Sequence, residues 1–123
     1  MNNGIVSFCA LNTDTQETVE LADGSLFKRY CWIDMSPADQ FDLPLDEAVI
    51  MLLELKKAEK AFRWFIEELI CGQINVLECR KAIFLVKNRA KASSAAYDNL
   101  VRFERFVIKA QGLGANTISW GEM

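Results

Sequence analysis

The chain contains no histidine among its 123 residues. Histidine is the commonest general base, the commonest transition-metal ligand and the usual partner of a nucleophilic serine or cysteine. The acidic residues also lack the spacing of an acid–base pair or of a metal site; the adjacent Glu67 and Glu68, for example, would diverge on a helix. We therefore expect a protein that is not an enzyme and that uses no cofactor or metal ion.

The cysteine spacings typical of metal binding are missing too. Cys9, Cys31, Cys71 and Cys79 include no pair separated by two residues, which excludes a redox CxxC motif and a zinc ribbon. In an intracellular protein such cysteines stay reduced and behave as small apolar residues. We expect all four to be reduced and buried.

Long apolar runs are absent as well. Uninterrupted runs such as Ala82 to Val86 fall far short of the roughly 20 residues that a membrane-spanning helix needs. The first residues combine neither a basic stretch nor a sustained apolar stretch, so they do not resemble a secretion signal. We expect a cytoplasmic protein that does not contact a membrane.

What the chain does have is the composition of a globular domain, with 51% hydrophobic and 25% charged residues. A chain of this length supports one hydrophobic core, so we expect a single domain over residues 1–123. The net charge of −3 hides an asymmetry, because residues 1–45 hold seven acidic residues against two basic ones and the remainder holds ten against twelve. The N-terminal third is therefore acidic and the rest is mildly basic.

The pattern of residues 1–35 predicts a three-stranded antiparallel meander. Its strands are residues 4–11, 18–21 and 26–33, separated by the polar segment NTDTQE and by the Asp23-Gly24 hairpin signal. Alternation in the third strand places Leu26, Lys28, Tyr30 and Trp32 on one face. Phe27, Cys31 and Ile33 lie with Arg29 on the other face. Both faces are partly apolar, which indicates a strand at an edge of the sheet.

Residues 45–111 predict the helical part. The longest periodic segment runs from Leu45 to Cys71, between Pro44 as a start signal and Gly72 as a stop signal. On this helix one apolar stripe is expected to pack on the other helices, and it comprises Ala48, Leu52, Leu55, Phe62, Ile66 and Leu69. The opposite side carries Ile50 and Leu53, which we expect under the sheet, and Trp64.

A second helix is predicted from the capping residue Asn75 to about Ala90, and a third runs to about Gln111 and stops at Gly112. One long kinked helix over residues 76–111 is the alternative. Residues 112–123 would form a C-terminal tail or an edge strand. The fold class is therefore α+β: an N-terminal antiparallel sheet of three strands, or four with the C-terminal segment, packed on a bundle of two or three helices.

Two features are candidates for binding a partner. The first is a run of five basic residues within residues 80–91 that has no acidic residue between them and includes Phe84 near the same helix face. The second is a surplus of aromatic residues, since such side chains at a surface anchor protein interfaces. The candidate partner-binding residues are Tyr30, Trp32, Lys57, Lys60, Trp64, Arg80, Phe84, Lys87 and Lys91.

These features favour a protein-binding module without enzymatic activity. The profile is typical of a small inhibitor, adaptor or immunity-type protein, such as those that phages and mobile elements use against bacterial complexes. One alternative is a nucleic-acid-associated protein that uses the basic helix face of residues 80–91, although a pI near 5.0 disfavours phosphate binding. A second alternative is an obligate homo-oligomeric structural protein.

Overall fold

A computed structural model of the chain describes residues 4–59, 71–89 and 95–122. The fold class is α+β, as the sequence predicts, with helices packed on an antiparallel sheet. In chain order the elements are β1 (Ile5–Glu20), β2 (Leu26–Trp32), β3 (Phe41–Pro44), α1 (Leu45–Ala58), β4 (Cys71–Asn75), α2 (Val76–Arg89), α3 (Ala95–Gly112) and β5 (Thr117–Glu122). A single turn of 3-10 helix spans Pro37–Asp39 and begins with proline.

The sheet is built around β1. Its strand order is β2-β1-β5-β4, and β3 pairs with β1 on the same side as β2. The first part of β1 therefore has neighbours on both sides, since Ile5 to Phe8 pair with β3 while Val6 to Leu11 pair with β5. The second part of β1 pairs with β2.

One face of this sheet carries the hydrophobic core. Val6, Phe8 and Ala10 alternate along β1, and the register places Trp120 and Ile118 of β5 on the same face. All five are buried against the helices. On the opposite face Ser7, Cys9, Gln73 and Ser119 are half-buried or exposed, whereas Leu11 and Thr117 are buried. The described part of the domain is therefore two layers, with a second sheet face that is only partly covered.

The predicted division of residues 4–21 into two strands is wrong, because the single strand β1 spans both. The segment NTDTQE, expected to be a loop, lies inside β1, and the irregularity in the pairing between Asn12 and Gln16 accommodates it. Polar residues are acceptable there because this part of β1 is solvent-exposed. The Asp23-Gly24 hairpin is confirmed: Gly24 has φ 85°, and Asp23 Oδ1 accepts a hydrogen bond from the Ser25 amide at 2.9 Å.

The long helix predicted from Leu45 to Cys71 is shorter than expected. It ends at Ala58, because Glu59 has extended backbone angles, and Cys71 belongs to β4. Pairing with β5 supplies the backbone hydrogen bonds of Cys71, a non-local interaction that helical periodicity does not reveal. The part of the prediction that concerns Phe62, Trp64, Ile66 and Leu69 lies outside the described residues.

The inward stripe of α1 is confirmed at Ala48, Leu52 and Leu55, which are buried. The expectation that Ile50 and Leu53 lie under the sheet is wrong, since 55% and 41% of their surfaces are exposed. The reason is the two-layer architecture, in which α1 uses the same stripe for both the sheet and the neighbouring helices.

The remaining elements refine the helical prediction. Asn75 caps α2, since its Oδ1 accepts a hydrogen bond from the Leu77 amide at 2.8 Å. The helices α2 and α3 pack on each other, which excludes one continuous helix over residues 76–111. Phe41 and Asp42 begin β3. The C-terminal segment is a strand, but β5 lies between β1 and β4 and is not an edge.

Candidate functional site

The distal part of β1 and the whole of β2 form a two-stranded projection, here called the β-ribbon (residues 12–32). Pairing between β1 and β5 ends at Leu11 and Thr117, and beyond that point β2 is the strand that pairs with β1 in the described part of the chain. From Asp14 to Trp32 the residues are exposed, apart from the half-buried Val19 and Cys31. The β-ribbon is thus accessible on both faces.

One face of the β-ribbon is rich in aromatic and long side chains. Leu26, Lys28, Tyr30 and Trp32 alternate along β2 and share this face, here called the aromatic face. Leu26, Tyr30 and Trp32 expose 66%, 45% and 52% of their surfaces, respectively. A shallow concavity of about 390 Å³ lies at this face. Lys28, Tyr30 and Trp32 of the aromatic face line it, together with Leu11, Gln16 and Arg29. The structure therefore brings Tyr30 and Trp32 into one surface.

An ion pair links the two strands of the β-ribbon. Arg29 Nε lies 2.7 Å from Glu17 Oε1, and the two residues are opposite each other in the register. Both side chains are about half exposed, so this ion pair contributes at most about 1 kcal/mol. The pair links the two strands beside the concavity, which Arg29 also lines.

Two basic residues of the run on α2 are engaged with α3, whereas Lys81 and Arg89 are exposed. Arg80 donates a hydrogen bond to Gln111 Oε1 at 2.8 Å, and Lys87 Nζ lies 2.8 Å from Glu104 Oε1. The hydrogen bond to Glu104 raises the pKa of Lys87 above its ordinary value. Both cations therefore hold α2 to α3. Between them Phe84 exposes 61% of its surface, while the predicted Lys91 lies outside the described residues.

Of the candidate partner-binding residues Lys57, Lys60 and Trp64, the structure describes only Lys57. Lys57 is exposed and pairs with Glu54 three residues earlier on α1, at 3.1 Å. Such a surface pair adds little stability. Lys60 and Trp64 lie outside the described residues.

Sequence reasoning missed a second concavity, of about 270 Å³, between α3 and the 3-10 turn. Arg102 and Arg105 of α3 line it, and the Arg102 guanidinium carbon lies 5.2 Å from the centroid of the Phe41 ring. The spacing of the two arginines was visible in the sequence. The sequence analysis did not predict β3, which places Phe41 and the 3-10 turn beside the two arginines.

The thiols lie mostly outside these surfaces. All four cysteines are free, and Cys79 is buried as expected, whereas Cys9, Cys31 and Cys71 are only half-buried. Burial raises the pKa of Cys79, and burial together with the nearby Asp42 carboxylate raises that of Cys9. Both thiols are therefore less reactive than an exposed cysteine at neutral pH.

Within residues 4–59, 71–89 and 95–122, no three cysteine or acidic side chains come together as a potential metal site. No helix in the same ranges is both long and apolar enough to cross a membrane. Comparison of the chain with protein-family models, with curated proteins and with solved structures finds no match in any of the three.

Proposed function

We propose that this protein is a protein-binding module without enzymatic activity, and that the aromatic face of the β-ribbon is its main contact surface. The observation that carries the proposal is the exposure of Tyr30 and Trp32 side by side on a projection that the rest of the described chain leaves uncovered. In this proposal the protein is a small inhibitor or adaptor that binds a larger bacterial complex. Proteins of this kind are typical of phages and mobile elements.

The energetics of the β-ribbon support this use. A two-stranded hairpin is only marginally stable in water unless one of its faces is covered. Leaving Leu26, Tyr30 and Trp32 in solvent forgoes hydrophobic stabilisation that a partner would restore on binding. Tyrosine and tryptophan bury large areas while losing few rotatable bonds, which is why they dominate binding hot spots.

The chemistry of the aromatic face favours a protein over a nucleic acid. The β-ribbon holds two basic residues, Lys28 and Arg29, against four acidic ones: Asp14, Glu17, Glu20 and Asp23. These carboxylates would repel phosphates, and nucleic-acid affinity depends mainly on summed positive charge. The basic face of residues 80–91, on which the nucleic-acid alternative rests, has Arg80 and Lys87 engaged with α3.

One observation supports the homo-oligomer alternative. Leu77 and Phe84 lie two helical turns apart on α2 and expose 66% and 61% of their surfaces. A second copy could cover this stripe. Light scattering tests the alternative directly: concentration-dependent dimers that dissociate on Phe84→Asp would support it, and a monomer at all concentrations would exclude it.

Capture of partners from the native host tests the main proposal. The bait would be the full chain, compared with a Tyr30→Ala, Trp32→Ala double variant and with Phe84→Ala as the matched control. We expect one or more proteins to be retained by the wild type and by Phe84→Ala but lost with the double variant. Equal retention by all three baits would contradict the proposal. Added nuclease separates direct protein partners from proteins bridged by nucleic acid.

A further inference from the structure

The concavity between α3 and the 3-10 turn has the features of an oxyanion site. Arg102 and Arg105 are three residues apart on α3 and point along the same side of the helix. Both are exposed, and neither forms an ion pair with any residue in the described part of the chain. Two guanidinium groups thus face one small depression without an ion-pair partner among the described residues.

The floor of this concavity orients one of the two arginines. The Arg102 guanidinium carbon lies 5.2 Å from the centre of the Phe41 ring, and Phe41 is buried. A cation held over an aromatic face retains its N–H groups for a ligand and has less rotational freedom to lose on binding. Phe106, which is also buried, forms part of the same floor. The result is a partly pre-organised pair of donors on an apolar base.

Among the described residues of the lining, Asp39 is the acidic one. Its Oδ2 accepts a hydrogen bond from the Ser36 hydroxyl at 2.8 Å, within the 3-10 turn. Asp39 therefore lies at the rim of the concavity without forming an ion pair with either arginine. Its negative charge still weakens the binding of any anion, which provides a test of the sign of the ligand's charge.

We propose that Arg102 and Arg105 bind an oxyanion, the phosphate or carboxylate group of a ligand. Planar guanidinium groups match such oxygens through paired, charge-assisted hydrogen bonds. The site is independent of the proposed aromatic contact surface, because it stands on α3 and β3. A third concavity lies next to the arginine site. Gln40 and Phe106 line both of these concavities, and Trp32 of the aromatic face also lines the third one.

The probes are inorganic phosphate and acetate, each titrated at constant ionic strength against chloride. The readout is the Nε–Hε NMR signal of each arginine side chain in the full chain. We expect saturable shifts of the Arg102 and Arg105 signals and only a small linear drift for Arg89, an exposed arginine near the end of α2. Tighter binding of phosphate would identify a phosphorylated ligand, and tighter binding of acetate would identify a carboxylate.

Variants make the test specific. Arg105→Gln should weaken binding by at least about tenfold, since it removes a charged donor, whereas Arg89→Gln should leave the affinity within about twofold. Asp39→Asn should tighten binding by about threefold because it removes a repulsive charge. Arg102 and Arg105 are exposed, so these variants are expected to fold, and thermal unfolding verifies it. Linear shifts equal to that of Arg89, or weaker binding by Asp39→Asn, would overturn the proposal.

Discussion

The indole ring of Trp120 lies directly against the backbone of Gly72. A Cβ atom built on Gly72 would come within 2.7 Å of Trp120 Cζ2, closer than side-chain carbons normally approach. Gly72 and Trp120 are paired in the register of β4 and β5, and Trp120 is part of the core. The absence of a side chain at residue 72 is therefore what allows β4 to dock on β5 under this tryptophan.

The first prediction follows from that contact. Gly72→Ala should reduce the free energy of unfolding by about 1–3 kcal/mol, because the added methyl group must displace the indole or the strand. Urea unfolding at equilibrium measures the change. Gly121→Ala is the matched control, since a Cβ on Gly121 meets nothing within 4 Å. A loss for Gly72→Ala no larger than that for Gly121→Ala would contradict the close packing.

The end of α3 provides the second prediction. Gly114 has φ 106°, its amide donates to the Gln111 carbonyl at 3.0 Å, and the Ala115 amide donates to the Ala110 carbonyl at 3.0 Å. This pair of hydrogen bonds is a Schellman motif. Gly114→Ala should cost about 1 kcal/mol of stability, because alanine is strained at positive φ. Thermal unfolding should show the loss for Gly114→Ala and no loss for Gly112→Ala, because residue 112 lies in the helix and a Cβ there meets nothing within 4 Å.

Glu104 and Lys87 provide a prediction about pH. The raised pKa of Lys87 means that its contribution to stability is complete below the ordinary value of 10.5 and is lost as the pH rises through the higher folded-state pKa. At pH 8, Lys87→Met should therefore cost about 0.5–1 kcal/mol. The difference in the free energy of unfolding between the variant and the wild type should shrink once the pH exceeds the folded-state pKa of Lys87. Denaturant titrations at pH 8 and above pH 11 measure both values.

The control for this pair is Lys81→Met, which removes an exposed lysine from the same helix. Its effect on unfolding should be small and should not change over the same pH range. A pH-independent cost for Lys87→Met would show that its contribution comes from the packing of its aliphatic stem and not from its charge.

The half-buried thiols offer a prediction about accessibility. Cys79 is fully buried in the core, whereas Cys31 lies on the exposed β-ribbon. A thiol reagent at pH 8 should therefore modify Cys31 in the native state and reach Cys79 only after unfolding. Mass spectrometry of the labelled peptides, with and without denaturant, distinguishes the two. Labelling of Cys79 at the rate of Cys31 would contradict the described core.

Local signals in the sequence were sufficient for some of these elements. The Asp23-Gly24 turn, the Asn75 cap and the inward stripe of α1 each depend on residues close together in the chain, and each prediction was confirmed. The α+β class followed from the same local patterns. Short-range chemistry therefore specified the class of the fold and several of its boundaries.

Elements that depend on distant partners could not be predicted in this way. Both β3 and β4 are short strands, and each is defined by its pairing with a strand far away in sequence. The arginine concavity was missed for the same reason, since Phe41 reaches Arg102 only once β3 is placed. In contrast, the shared face of Tyr30 and Trp32 follows from strand alternation alone and needs no distant contact.

The most direct test of the central claim is the affinity of a captured partner for the full chain and its variants, measured by titration calorimetry. Tyr30→Ala and Trp32→Ala should each weaken binding by about thirtyfold or more, as expected for hot-spot aromatics. Phe84→Ala, which truncates an even more exposed aromatic on α2, should change the affinity by less than about twofold. Unchanged affinity in Tyr30→Ala and Trp32→Ala, with the variants folded, would contradict the account.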